Sequence, residues 1–384
     1  MAQLASVARK ESIGSLPDDV SFIDCDTHFL SMSALEKLVK LYPNRFQLVT
    51  EDKLIRFLYE GRVLHRSRAS DDILGASAHG RLDLDTKVAD MNKEDPKCVQ
   101  ALGFDQGVLI SNYPVGIGAD VCRVLNDGVV ELLESSKHRD RFIPLAAIYL
   151  PWVEEAVKEI RRMHALGFKG VFITAMGENY ADFDIGSPTL WPIYEALNEF
   201  NMAIIYHTSI KAYRDWSSYN LKTVNLSTMV GTNHVALQKV NELGLLYAFP
   251  FTYACDIATL IFSRIFDEFP NLRICTLEGR VPSFVPALMD SLDQVRWKRH
   301  RIRRKPSEYF TDHVYPGATA NEKFLHHTIQ AWPEHNIVVG SDYPHADASG
   351  TWPNSVRLIR ENPNLSDADK QRLLVGNAKR LFAV

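Results

Sequence analysis

From residue 104 onward the chain repeats one unit, a short apolar run rich in β-branched side chains followed by a longer stretch with helical periodicity. The unit recurs about every 30 to 45 residues, as parallel-sheet architectures do. RFIPLAAIYL, FKGVFIT, MAIIYHTS, LRICTLEG and HNIVVGSD read as strands. PWVEEAVKEIRRMHALG reads as one of the intervening helices, with Pro151 near its start and Gly167 at its end. Adding FIDCD, GVLIS and YAFPFTY brings the count to eight strand candidates. Eight such units predict an α/β fold of the (β/α)8 TIM-barrel type, whose chemistry gathers at the C-terminal ends of the strands. An open doubly wound sheet is the alternative, but no G-x-G-x-x-G follows an early strand.

The length suits such a barrel, since 384 residues with 46% hydrophobic content bury one large core. Residues 1–20 are polar and read as an N-terminal arm, and residues 21–384 as the barrel domain. Residues 31–100 lack the regular rhythm and predict a long insertion after the first strand, placed to cover a site. Within it SALEKLVKLY and DTKVADMNKED look helical, around a polar stretch, VLHRSRASDDILGASAHGRLD, of little periodicity.

Charge and cysteine usage then exclude several function classes. The net charge is −4 and the charges are scattered, so nucleic acid is not an expected partner. The one basic run, RWKRHRIRRKP at 296–306, has no interleaved aromatics and reads as a solvated or subunit-facing surface. Five cysteines without a C-x-x-C argue against a disulfide framework and for a reducing, cytoplasmic setting. Nowhere do 18 apolar residues run together, so no membrane span is expected. A small-molecule substrate is what remains.

Four strand candidates end in metal-ligand residue types: Asp26 and His28 after FIDC, His207 after AIIY, Glu278 after RICTL, and Asp342 after NIVVGS. Each has an ordinary alternative: a buried histidine bonded to a carbonyl, a Glu278–Arg280 ion pair, or an Asp342 cap on the next turn. The coincidence decides, because Asp26, Glu278 and Asp342 on one rim repel one another unless a cation compensates. Two histidines with two or three carboxylates suit Zn, Mn or Fe(II), as one ion or two. Asp26, His28, His207 and Asp342 are the expected ligands, with Glu278 orienting a ligand or holding a second ion. His345 in DYPH is expected in a supporting position behind them, and His234 in TNHVAL is a further catalytic candidate.

FIDCDTH, LWPIYEALNEFNMAIIYHT, IFDEFPNLRICTLEG, GSDYPHADASGTWP and the closing GNAKRLF together resemble the amidohydrolase superfamily, on its aminocarboxymuconate semialdehyde decarboxylase-like branch. The resemblance implies a (β/α)8 barrel with a divalent metal, usually zinc or manganese. It puts Asp26 and His28 on the first-strand ligand pair, His207 at the end of strand five and Asp342 on strand eight. Glu278 stands where many relatives have a histidine, and a carboxylate does not stabilise an oxyanion as an imidazolium does. The expected function is a metal-dependent hydrolase or non-oxidative decarboxylase of a small carboxylated or amide-like substrate, with Asp342 and Glu278 as catalytic groups. The alternative is a subunit of an Fe or Mn oxygenase of the same superfamily, resembling 2-aminoisobutyrate hydroxylase. A barrel that keeps an ion but lacks activity is a third possibility. The resemblance also implies a homo-oligomer, or a hetero-oligomer with a homologous subunit.

Overall fold

The computed structural model describes residues 15–51, 54–68, 83–104, 106–109, 113–174, 184–207, 249–345 and 350–384. Twelve strands are numbered here in chain order. The first two, β1 (Phe22–Asp24) and β2 (His28–Phe29), lead into helix α1 (Met32–Leu41). Next come β3 (Phe46–Glu51), β4 (Leu54–Tyr59) and β5 (Arg62–Arg68), then helix α2 (Leu84–Glu94). The rest are β6 (Cys98–Phe104), β7 (Phe142–Ala147), β8 (Gly170–Thr174), β9 (Ala203–His207), β10 (Ile274–Thr276), β11 (Val314–Ala318) and β12 (Val338–Val339).

The main sheet runs β1-β6-β7-β8-β9-β10-β11-β12, all parallel, with β2 continuing the first strand alongside β6. This is a nearly closed barrel of eight parallel strands wrapped by helices, as the βα rhythm predicts. Buried residues run unbroken along β6, β7, β8 and β9, as strands covered on both faces require. The helices are amphipathic. In Val153–Ala165, for example, Ala156, Ile160 and Met163 face inward and Gly167 follows at φ 94°.

Two strand assignments are corrected. Gly107–Leu109 of GVLIS are not a strand, since Gln106–Leu109 form one helical turn, and Ile110 and Ser111 lie outside the described residues; the barrel strand is the preceding CVQALGF. Phe249–Tyr253 of YAFPFTY are not a strand either, since Phe249–Phe262 is a helix, and Tyr247 and Ala248 lie outside the described residues. The strand in its place is VYPGA, β11. Both true strands carry residues that read as turn signals, and both need them. A Cβ on Gly103 would meet Thr27 O at 2.6 Å, and one on Gly317 would meet Thr276 O at 2.9 Å. GVLI and YAFPF were apolar but too short for periodicity to separate strand from helix.

The segment after the first strand forms a three-stranded antiparallel sheet, β3-β4-β5. Glu60 and Gly61, at φ 47° and 79°, make the two-residue turn between β4 and β5. Helix α2 then returns to the barrel, capped at its start by Asp83, which accepts from Thr86 N at 2.7 Å. The C-terminal end of the basic run is paired locally, with Arg304 on Asp312 and Lys305 on Asp293 at 2.9 Å. All five cysteines are free thiols. Among the described residues no helix is long and apolar enough to cross a membrane.

Candidate metal centre

Parallel strands bring their C-terminal ends to one rim, so residues far apart in sequence meet there. Asp26 and His28 follow β1, His207 is the last residue of β9, Glu278 lies two residues past β10, and Asp342 lies three past β12. All five are buried, with Asp342 at 0% and Glu278 at 9% relative exposure. Glu278 and Asp342 have left-handed backbone, at φ 56° and 58°. For residues other than glycine this costs on the order of 1 kcal/mol or more, and such strain collects at functional sites.

The donor atoms converge. His28 Nε2 lies 3.0 Å from Asp342 Oδ1 and 3.9 Å from Asp26 Oδ1. His207 Nε2 lies 3.7 Å from Asp26 Oδ1 and 3.6 Å from Glu278 Oε2. Three overlapping groups each bring one donor atom per residue within 4.8 Å: Asp26–His28–His207, His28–Asp342–His345, and Asp26–Glu278–Asp342.

This donor set fits a divalent metal. His28 Nδ1 faces the Phe104 carbonyl at 3.5 Å and Nε2 faces Asp342 Oδ1 at 3.0 Å, so a ring whose proton sits on Nδ1 would turn its Nε2 lone pair toward the carboxylates. In that tautomer a cation between the lone pair and the buried carboxylate oxygens would satisfy both. Ligand bonds of about 2.0–2.2 Å around one ion separate neighbouring donors by roughly 3.0–3.6 Å, close to the separations found here.

His345 adds a sixth group. Its Nδ1 lies 2.5 Å from Asp342 Oδ1, its ring is 4.5 Å from that of His28, and its side chain is 34% exposed. Burial alone would raise the Asp342 carboxyl, but the charges and hydrogen bonds of His345 and His28 hold it well below the usual range. His345 therefore contacts Asp342, one of the expected ligands, and its side chain is partly exposed. His234 lies outside the described residues.

Sequence reasoning missed the groups behind these donor residues. Asp24 is fully buried and binds Ser341. Lys87 of α2, also fully buried, donates from Nζ to the His28 carbonyl at 3.3 Å and lies 4.5 Å above the Tyr343 ring. One turn on, Asp90 accepts from Tyr343 OH at 2.6 Å. Helix α2 therefore holds both ends of the strand pair that carries Asp26, His28 and Asp342. A lysine and an aspartate three apart look like an ordinary exposed helix face, and the only signal was their place in the insertion. Tyr343 and Trp352 pack on each other in the interior at 5.3 Å.

A family model described as amidohydrolase matches residues 23–384. The chain belongs to the amidohydrolase family. This amidohydrolase is 24% identical over 310 residues to 2-amino-3-carboxymuconate-6-semialdehyde decarboxylase of Dictyostelium discoideum, covering 77% of this chain and 75% of that one. Its fold resembles an amidohydrolase of Mycobacterium avium subsp. paratuberculosis with a TM-score of 0.72 at 17% identity, over 95% and 98% of the two chains. It also resembles a dihydroxybenzoic acid decarboxylase of Polaromonas sp. JS666, solved with manganese and the inhibitor 2-nitroresorcinol. There the TM-score is 0.66 at 19% identity, over 95% and 97% of the chains. Two of these similar proteins are decarboxylases, the branch that FIDCDTH and GSDYPH resemble.

Proposed function

We propose that this protein is a divalent-metal-dependent, non-oxidative decarboxylase of a small aromatic carboxylate. The observation that carries the reading is the buried convergence of Asp26, His28, His207 and Asp342, with a carboxylate, Glu278, beside them. A site built this way favours binding a substrate anion through a cation over stabilising an oxyanion by an imidazolium. The decarboxylase relatives, one with manganese and a nitroresorcinol, support the same substrate class.

Asp26, His28, His207 and Asp342 would hold the ion, zinc or manganese, with Glu278 against His207. When bound, such an ion supplies positive charge for a substrate carboxylate and a neighbouring oxygen. The remaining work falls to the chain. Exchange of CO2 for hydrogen needs one proton on the ring carbon, after which the electrons of the breaking C–C bond return to the ring and CO2 leaves. Asp342 and His345, 2.5 Å apart, form a path for that proton from the exposed mouth to the buried rim. Nothing is oxidised, so no oxygen is consumed.

The test is anaerobic turnover of a panel of hydroxybenzoic acids by metal-loaded protein, with CO2 and the decarboxylated phenol measured together. Stoichiometric release without oxygen is the expected result. Absence of release across the panel, with the metal bound, sinks the reading.

A second reading is favoured by the Asp26–Glu278–Asp342 group, which with three imidazoles offers more donors than one ion needs. Two irons or manganese ions held there would suit an oxygenase subunit. Two ions per chain with oxygen-dependent turnover would select it. We expect a homo-oligomer in the first case and pairing with a homologous subunit in the second.

A further inference from the structure

The seam where the barrel closes, between β12 and β1, is not a regular ladder. Cys25 N donates to Val339 O at 3.0 Å, and further along His28 N donates to Tyr343 O at 2.9 Å. Between these two backbone bonds the last strand turns to a side chain. Asp24 Oδ1 accepts from Ser341 N at 2.8 Å, and Asp24 Oδ2 accepts from Ser341 Oγ at 2.6 Å. Gln100 Nε2, on β6, donates to the same Oδ2 at 3.2 Å, and Asp26 N donates to Oδ1 at 3.3 Å. One fully buried carboxylate thus ties together three neighbouring strands.

Position makes this more than a structural bond. Ser341 immediately precedes Asp342, and its Oγ also accepts from Tyr343 N at 3.2 Å, so the serine is fixed on both sides of that ligand. Asp342 needs left-handed backbone to turn inward, and a parallel ladder does not supply it. A carboxylate reaches out from its own strand and accepts several bonds, which lets β12 leave the ladder while its direction stays set.

We infer that Asp24 is a positioning residue of the metal centre: its carboxylate stands in for the missing ladder rung and fixes Asp342 relative to Asp26 and His28. The inference rests on the metal-centre reading above. Replacement of a group that orients metal ligands typically lowers metal affinity by about 10- to 100-fold.

The experiment measures Mn2+ and Zn2+ affinity by titration calorimetry, with the melting midpoint of the metal-free protein, for wild type, Asp24→Asn and Ser341→Ala. The control is Asp267→Asn, which disturbs a different buried network, where Asp267 accepts from Tyr309 OH at 2.5 Å and Arg303 N at 3.1 Å in the helical layer. We expect folded Asp24→Asn to bind roughly 10- to 100-fold more weakly and Ser341→Ala to weaken in the same direction, whereas Asp267→Asn lowers the midpoint with affinity intact. Wild-type affinity in both seam variants overturns the inference, as does equal weakening in the control. Should Asp24→Asn not fold, Ser341→Ala decides alone. A wild-type chain that takes up neither ion removes the metal reading and this inference together, a result distinct from variants that match a binding wild type.

Discussion

Gly340 lies directly against Asp26: a Cβ built on the glycine would sit 2.3 Å from the Asp26 Cβ, inside any allowed contact. The missing side chain of one rim residue is therefore the space that another, proposed as a metal ligand, occupies. Gly340→Ala must displace Asp26 or the strand, at a cost of about 1–3 kcal/mol for overpacking. We expect metal content and kcat/KM to fall by roughly 10- to 100-fold in a protein that still folds. Gly116→Ala, where a Cβ meets nothing within 4 Å in the helix Val115–Ser135, serves as the comparison. It should leave activity unchanged and stabilise by about 0.5–1 kcal/mol.

Metal removal should loosen the rim. A ligand at 100 times its Kd stabilises the folded state by about 2.7 kcal/mol. Calorimetric scans of chelator-treated protein, with and without added Mn2+, should therefore differ by several degrees, and Asp342→Asn should erase most of that difference. Identical scans for metal-free and metal-supplemented wild type would count against the centre.

His335 sets a pH dependence away from the rim. It is fully buried, and burial pushes its imidazole down to about 4, from 6.5 in the open chain. Between those values the unfolded chain binds the proton and the folded one does not, so stability rises with pH. The contribution is complete above 6.5 and is lost as pH falls through 4, amounting to about 3 kcal/mol. Urea unfolding from pH 4 to 7 should show His335→Gln with a flatter profile than wild type; parallel profiles would refute it.

Glu94 works in the opposite sense. Burial raises its carboxyl to about 7 while Val356 N donates to Oε1 at 2.7 Å. Here the folded state holds the proton longer, so stability is greatest below the ordinary value of 4.5 and is lost as pH rises through 7. Glu94→Gln keeps an acceptor for Val356 and removes the ionisation. It should be more stable than wild type above pH 7, by about 1–3 kcal/mol, as read from denaturant midpoints.

The chain alone determined a good deal. The βα rhythm dictates a parallel sheet with helices covering both faces, and eight such units without a G-x-G-x-x-G point to a closed barrel over an open doubly wound sheet. The strand ends FIDCD, AIIYH, RICTLE and NIVVGSD marked their polar residues because an apolar run that stops at Asp, His or Glu is costly without a partner. Local pattern could not separate GVLIS and YAFPFTY from strands, or recognise CVQALGF and VYPGA as strands. In those segments the deciding contacts, such as Thr27 O against Gly103 and Thr276 O against Gly317, come from other parts of the chain. Tertiary structure alone decided that Asp24 takes the place of a ladder rung, that Lys87 reaches the His28 carbonyl from the insertion, and that Gly340 makes room for Asp26. Each depends on residues separated by tens to hundreds of positions, and no local sequence period encodes which of them meet when a sheet closes on itself.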